Sequence, residues 1–207
     1  MKKKIVIGLV ILAVITLVIL WKKGKLGGFV KKGIMKHFDL TEFDTPAVSS
    51  ELGNKDTYLK GSRAYVTDSA KRNMDSNFLA MIDSARVQVE KGWNKLHLSD
   101  RIIFKINSGY RSPTYNDTLK GSVPNSAHTY GKAVDLAWGG YTLAQKQEML
   151  IELYNVGFRR FGIANTFLHV DSADTTSGHP TPAVWTYSGV GNAPVTNIND
   201  IIALTEV

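Results

Sequence analysis

Hydrophobic and polar positions divide the chain into three regimes. Ile5 to Trp21 is an almost unbroken apolar run, interrupted only by Gly8, Ala13 and Thr16. As a helix rising ~1.5 Å per residue it reaches about 25 Å, enough to span a bilayer core. Lys23 to Lys36 is basic and holds Gly24, Gly27, Gly28 and Gly33, the pattern of a flexible linker. From His37 onward the periods of 3.6 and 2 expected of a folded domain take over.

Within that domain the spacing of Phe78, Ile82, Ala85 and Val89 predicts a helix over Asn73–Val89, capped by Asp75 or Ser76. Ile102–Ile106 is bulky and β-branched and predicts a strand. Thr114–Asn125, with Gly121 and Pro124, reads as loop. Lys132–Trp138 predicts a second strand. Thr142–Val156 predicts a helix with Thr142 as N-cap, Gly157 as stop, and Leu143, Met149, Leu150, Leu153 and Val156 on or near its buried face. Arg159–Ile163 and Thr166–Ser172 predict two further strands. Helices and strands do not alternate regularly, so the expected class is α+β, an antiparallel sheet with flanking helices, preceded by one transmembrane helix. The expected layout is an anchor at 1–22, a linker at 23–36, a folded domain at 37–188 and a tail at 189–207. Phe38, Leu40 and Phe43 are expected to pin the turn-rich start of the domain, and Trp185 and Tyr187 to dock on it.

The net charge of +7 changes little once it is located. Residues 1–36 hold nine lysines and no acid, so the remainder carries −2. That excludes a basic nucleic-acid binder and turns the lysines towards anionic headgroups. The chain has no cysteine, which excludes disulfides and thiolate metal sites.

The candidate chemistry lies between Asn107 and Asp171. His128 and Asp135 sit seven residues apart around Gly131, and His169 lies in the apolar stretch Phe167–Asp171. Three ligands of N and O type, with a fourth position left to water, describe a catalytic zinc site. Strand alternation puts Ala133 and Asp135 on one face and Val134 and Leu136 on the other. The same rule groups Phe167, His169 and Asp171 against Leu168 and Val170. Arg111, at the end of a strand, could hold a carboxylate or a developing oxyanion, or form a structural salt bridge. Asp171 could act as general base or orient a ligand. Ser126 and Asn116 are candidates to orient the loop, and Tyr110, Tyr115 and Tyr130 to line a cleft. His37, His97 and His179 stand in no comparable context and read as surface or loop residues.

These motifs occur in a telling order. Ser108-Gly109-Tyr110-Arg111 precedes Ser126-x-His128-x-x-Gly131-x-Ala133-x-Asp135, and a His169-Val170-Asp171 strand follows. The set resembles the zinc D-Ala-D-Ala carboxypeptidases, a family that includes L-alanyl-D-glutamate endopeptidases and phage endolysins and shares its fold with the hedgehog signalling domain. His37 to Asp44 is similar to the opening of one branch, so the resemblance runs from about Phe38 to Asp171. It implies one zinc ion, a peptidoglycan peptide as substrate, a bacterial or phage source, and an arginine, here Arg111, close to the metal. Several members carry a glutamate three residues before the last zinc histidine. Here that position is Thr166, which cannot take a proton from water. The implied function is a zinc peptidase acting on stem peptides or cross-links as a carboxypeptidase or endopeptidase. The alternative is a zinc-containing cell-wall module without catalysis.

Lysines after the apolar run outnumber the three before it, which by charge alone places the domain in the cytoplasm. A cell-wall substrate requires the other side, so the expectation is a monomer anchored by its N-terminal helix with an extracytoplasmic domain. The run ends in Trp21-Lys22-Lys23 without a small-x-small cleavage site. N-terminal sequencing of the mature protein should therefore find the run retained; a start beyond Trp21 refutes the anchor.

Overall fold

The computed structural model describes residues 37–44, 59–60, 63–64, 73–187 and 198–206. They fall within one compact unit, Met35–Val207. The expected anchor at 1–22 and linker at 23–36 lie outside the described residues. Among the described residues no helix is long and apolar enough to cross a membrane.

The elements are a two-stranded hairpin of β1 (Leu59–Lys60) and β2 (Arg63–Ala64), α1 (Ser76–Lys91), α2 (Trp93–Leu96), β3 (Lys105–Ser108), α3 (Pro113–Thr118), β4 (Ala133–Ala137), α4 (Leu143–Asn155), β5 (Arg160–Ile163), β6 (Phe167–Asp171), β7 (Ala183–Thr186) and α5 (Ile198–Ala203). The class is α+β, built on a five-stranded sheet of order β3-β4-β6-β5-β7. Its pairs are antiparallel except β5 with β7, which is parallel. The expectation of a purely antiparallel sheet is corrected there: β7 is reached from β6 by a crossing connection instead of a hairpin.

Alternation along the strands separates core from site. Val134, Leu136, Phe161, Ile163, Leu168 and Val170 are buried in one cluster with Phe78, Ile82 and Val89 of α1 and Met149, Leu150 and Leu153 of α4. The opposite face carries Asp135, His169 and Gly162. Both long helices start where their caps predict. The Asp75 carboxylate accepts from Phe78 N at 2.8 Å, and Thr142 and Gln145 form a reciprocal capping box. Leu143, expected on the buried face, is 43% exposed because it stands at the first turn of α4, before the helix meets the core.

Three local expectations change. The strand predicted at Ile102–Ile106 begins only at Lys105, because the buried Asn94 side chain takes both backbone groups of Ile102. It accepts from Ile102 N at 2.7 Å and donates to Ile102 O at 2.9 Å. Ile102 and Phe104 still bury their side chains. The predicted loop at 114–125 opens with α3, started by the Ser112 cap and Pro113 in its first turn. The tail contains α5, whose Ile201 is 2% exposed and belongs to the main core.

The segment 37–44 also docks. Phe38 and Phe43 meet edge-to-face at 5.4 Å, and Arg86 of α1 lies 4.7 Å from the Phe38 ring. Phe43 O accepts from Tyr110 N at 3.1 Å, so it touches the chain leaving β3.

Ile201→Ala should lower unfolding stability by about 2–5 kcal/mol, the usual cost of emptying a buried aliphatic site. A loss under about 0.5 kcal/mol in denaturant titration would show that α5 is not part of the core.

Candidate metal centre and active site

The site is one row across the sheet. Register places Ser108 beside Asp135, Asp135 beside His169, His169 beside Gly162, and Gly162 beside Trp185. A second row sets Asp171 between Ala133 and Arg160. Neighbours on a row share a face, so strand pairing alone brings Asp135 against His169.

His128 reaches them from a 3₁₀ turn, Ala127–Tyr130, closed by Gly131 at φ +66°. A Cβ at Gly131 would lie 1.9 Å from Asn73 O, and Gly131 O accepts from Asp75 N at 2.9 Å. The left-handed conformation and the close approach both require glycine. The turn thereby fixes His128 against the start of α1 as well as against the sheet.

His128 Nε2, His169 Nδ1 and Asp135 Oδ1 form a buried triangle. Its sides are 3.2 Å between the two nitrogens, 3.3 Å from His128 to Asp135 and 2.9 Å from His169 to Asp135. Ligands about 2.0–2.2 Å from a tetrahedral ion stand roughly 3.3–3.5 Å from one another. The donor set and its spacing therefore fit a metal ion, and these three residues form a group that could hold one.

Each outer atom of the triangle is tied down. His128 Nδ1 lies 2.7 Å from Gly109 O, which can only accept, so Nδ1 carries the hydrogen and Nε2 keeps its lone pair. His169 Nε2 lies 3.0 Å from Asp171 Oδ2, which leaves Nδ1 facing the triangle. Asp135 Oδ2 accepts from Arg111 Nη2 at 2.7 Å, and Arg111 Nε donates to Ser108 Oγ at 3.0 Å. Asp171 Oδ1 accepts from Arg160 Nε at 2.7 Å and from Ala173 N at 2.9 Å. Such partners fix the orientation of ligating rings and carboxylates.

The electrostatics follow from this wiring. Burial alone would depress His169, but its hydrogen bonds to Asp135 and Asp171 outweigh that and raise its pKa to about 9. Burial holds His128 below its ordinary value. Burial works against ionised Asp135, yet the charges and hydrogen bonds of His128 and His169 hold it well below the usual carboxylate range. The cluster thus shares a proton that a bound cation would displace.

The sequence expectations meet the structure unevenly. His128, Asp135 and His169 come together as described. Arg111 engages Asp135 directly, the structural alternative left open for it, while still lining the cleft. Asp171 sits behind His169 with both carboxylate oxygens engaged. It is therefore placed to orient a ligand, one of the two roles expected for it. Ser126 lines the cleft; Asn116 is fully buried and holds the following turn, its Nδ2 donating to Val123 O at 2.9 Å. Tyr110, Tyr115 and Tyr130 are not among the lining residues. His179, expected at the surface or in a loop, lies in a loop that lines the cleft, with Nε2 donating to Asn125 O at 2.7 Å.

Sequence reasoning missed Arg160 and Gly162. A Cβ at Gly162 would lie 2.6 Å from the Trp185 ring, so only glycine lets that indole lie across β5. The indole then stands 5.3 Å from the His169 ring. Trp185, Tyr187 and Phe167 wall one side of a cleft of about 510 Å³, and the 119–123 turn walls another.

Residues 53–176 match the model of the family described as peptidoglycan L,D-endopeptidase MepK. The chain belongs to this peptidase family. That membership also places it with the zinc D-Ala-D-Ala carboxypeptidases that its motifs resemble. The match covers all three triangle residues and Asp171 but ends before Trp185 and Tyr187. No curated protein and no solved structure matches the chain.

Asp171→Asn should weaken zinc affinity by about 10–100-fold, read by competition with a chelator. Unchanged affinity, with turnover lost, would return Asp171 to the role of base.

Proposed function

We propose that this protein is a zinc-dependent peptidase that hydrolyses amide bonds in peptidoglycan stem peptides or cross-links. The observation that carries the reading is the buried His128–Asp135–His169 triangle opening on a cleft, in a chain whose family is described as peptidoglycan L,D-endopeptidase. That description favours endopeptidase action on a bond between an L and a D centre over trimming of a terminal D-Ala.

His128, Asp135 and His169 would hold the ion, and zinc in such a site acidifies water and polarises a carbonyl. The chain's own residues do the rest. Gly109 O and Asp171 keep the two imidazoles in the tautomers that present lone pairs. Arg111 holds the outer oxygen of Asp135, so the inner oxygen is the one turned towards the two imidazoles, where the ion would sit. Arg160 neutralises Asp171 where burial would otherwise make its charge costly. Phe167, Trp185 and Tyr187 give one side of the cleft an apolar lining, next to which electrostatic contacts are stronger than in open water. The domain would act outside the cytoplasm as a monomer, tethered through residues 5–21.

One observation favours a second reading, a zinc-containing cell-wall module without turnover. Among the described residues, Asp135 and Asp171 are the carboxylates that line the cleft, and all four of their oxygens are engaged. Purified full-length protein with zinc should release shortened muropeptides from cell-wall fragments, identified by mass spectrometry. His128→Ala should abolish both release and stoichiometric zinc. A wild-type protein that holds one zinc yet releases nothing would establish the second reading. One that binds no zinc would reject both.

A further inference from the structure

The carbonyl of Gly109 and the N–H of Tyr110 belong to one planar peptide unit and point to opposite sides of it. Gly109 O accepts from His128 Nδ1 at 2.7 Å. Tyr110 N donates to Phe43 O at 3.1 Å. One rigid plane is therefore held between the turn that carries His128 and the docked segment 37–44. The next amide adds a second tie, since Arg111 N donates to His128 O at 3.1 Å. No side chain fits between the two backbones: a Cβ at Gly109 would lie 2.5 Å from Phe43 O and 2.7 Å from Phe43 Cα.

The segment has its own reasons to sit there. Leu40–Phe43 is a 3₁₀ turn opened by a capping box. Asp39 Oδ1 accepts from Thr41 N at 2.9 Å, and Glu42 Oε1 accepts from Asp39 N at 2.8 Å. His37 N donates to Asp83 Oδ1 of α1 at 3.2 Å. Phe43 is fully buried, and Phe38 joins the same core. Residues 37–44 lie outside the stretch 53–176 that matches the family, and they follow directly on the basic residues 23–36.

We propose that segment 37–44 is a strap whose docking raises metal affinity, with Phe43 as a positioning residue for His128. Phe43 O fixes the peptide plane, and the plane fixes the direction of Gly109 O. Gly109 O holds the Nδ1–H of His128, so that Nε2 faces His169 and Asp135. A peptide unit whose N–H already donates is also polarised, which makes its carbonyl a better acceptor. With the strap undocked the plane can tilt, and the ring loses its fixed direction. A protease cut just after Asp44 would therefore weaken the hold on the ion, whereas a cut before His37 would not. The inference rests on the metal reading of the triangle.

Linkage makes the effect readable in the wild-type chain. If docking of the strap raises zinc affinity, zinc must strengthen docking by the same factor. Hydrogen exchange of the full-length protein should slow about tenfold or more across Phe38–Asp44 and at Tyr110 N when zinc is saturating. Exchange in α5, which docks on the same core, should change by less than about threefold. Equal slowing in strap and α5, or slowing in neither, sinks the inference. Phe43→Ala in the full chain should weaken zinc binding about 10–100-fold, read by competition with a chelator. Phe43→Leu, which refills the core, should restore most of that affinity. Ile201→Ala, a comparable loss of core far from His128, should leave it within about threefold. A matching loss in Ile201→Ala, or wild-type affinity in Phe43→Ala, overturns the role of the strap while leaving the metal site intact. Should Phe43→Ala fail to fold, the exchange measurement on the wild type decides. A wild type that binds no zinc rejects the metal reading, and this inference with it.

Discussion

His169 stands between two carboxylates, and most of the site depends on that arrangement. One ring nitrogen faces Asp135 and the other faces Asp171, at 2.9 and 3.0 Å. A buried imidazole so placed cannot rotate without leaving a buried charge unpaired, a loss of several kcal/mol. Each carboxylate is held in turn by an arginine, Arg111 on one side and Arg160 on the other. The result is a chain of alternating charge across the sheet. It keeps the ligand atoms in place and leaves a single inner oxygen and two inner nitrogens facing one point.

The backbone makes this affordable in space as well as charge. Asp135, His169, Gly162 and Trp185 are neighbours only because four strands pair in one register. Helices α1 and α4 cover the other face, so the aliphatic half of each strand drives the pairing that aligns the polar half. His128 joins from outside the sheet through a glycine turn that α1 itself locks. Core and site are therefore two faces of one set of strand pairings.

Much of this was legible in the chain. Alternation alone separates Asp135 from Val134 and His169 from Leu168, and the order of the motifs joins them to His128. The caps of both long helices were written in Asp75, Thr142 and Gln145. What the chain hides is what register decides. Arg160 follows Arg159 and reads like any charged strand residue until β5 pairs with β6 and sets it beside Asp171. Gly162 reads as a weak spot in a strand until Trp185 lies across it. Asn94 sits in a short helix, and nothing near it in sequence announces that it replaces a strand partner for Ile102. For Trp185 and Tyr187 the chain suggests only that they dock on the domain. Their position in the cleft follows from β7 running parallel to β5, a pairing that local pattern cannot reveal.

That parallel strand also divides the site along the chain. The triangle residues are complete by His169, whereas Trp185 and Tyr187 of the cleft wall come only with β7 and the residue that follows it, and β7 joins the sheet through β5. The metal-binding half and the aromatic half of the cleft are thus held by separate strand pairings, β4 with β6 for the one and β5 with β7 for the other.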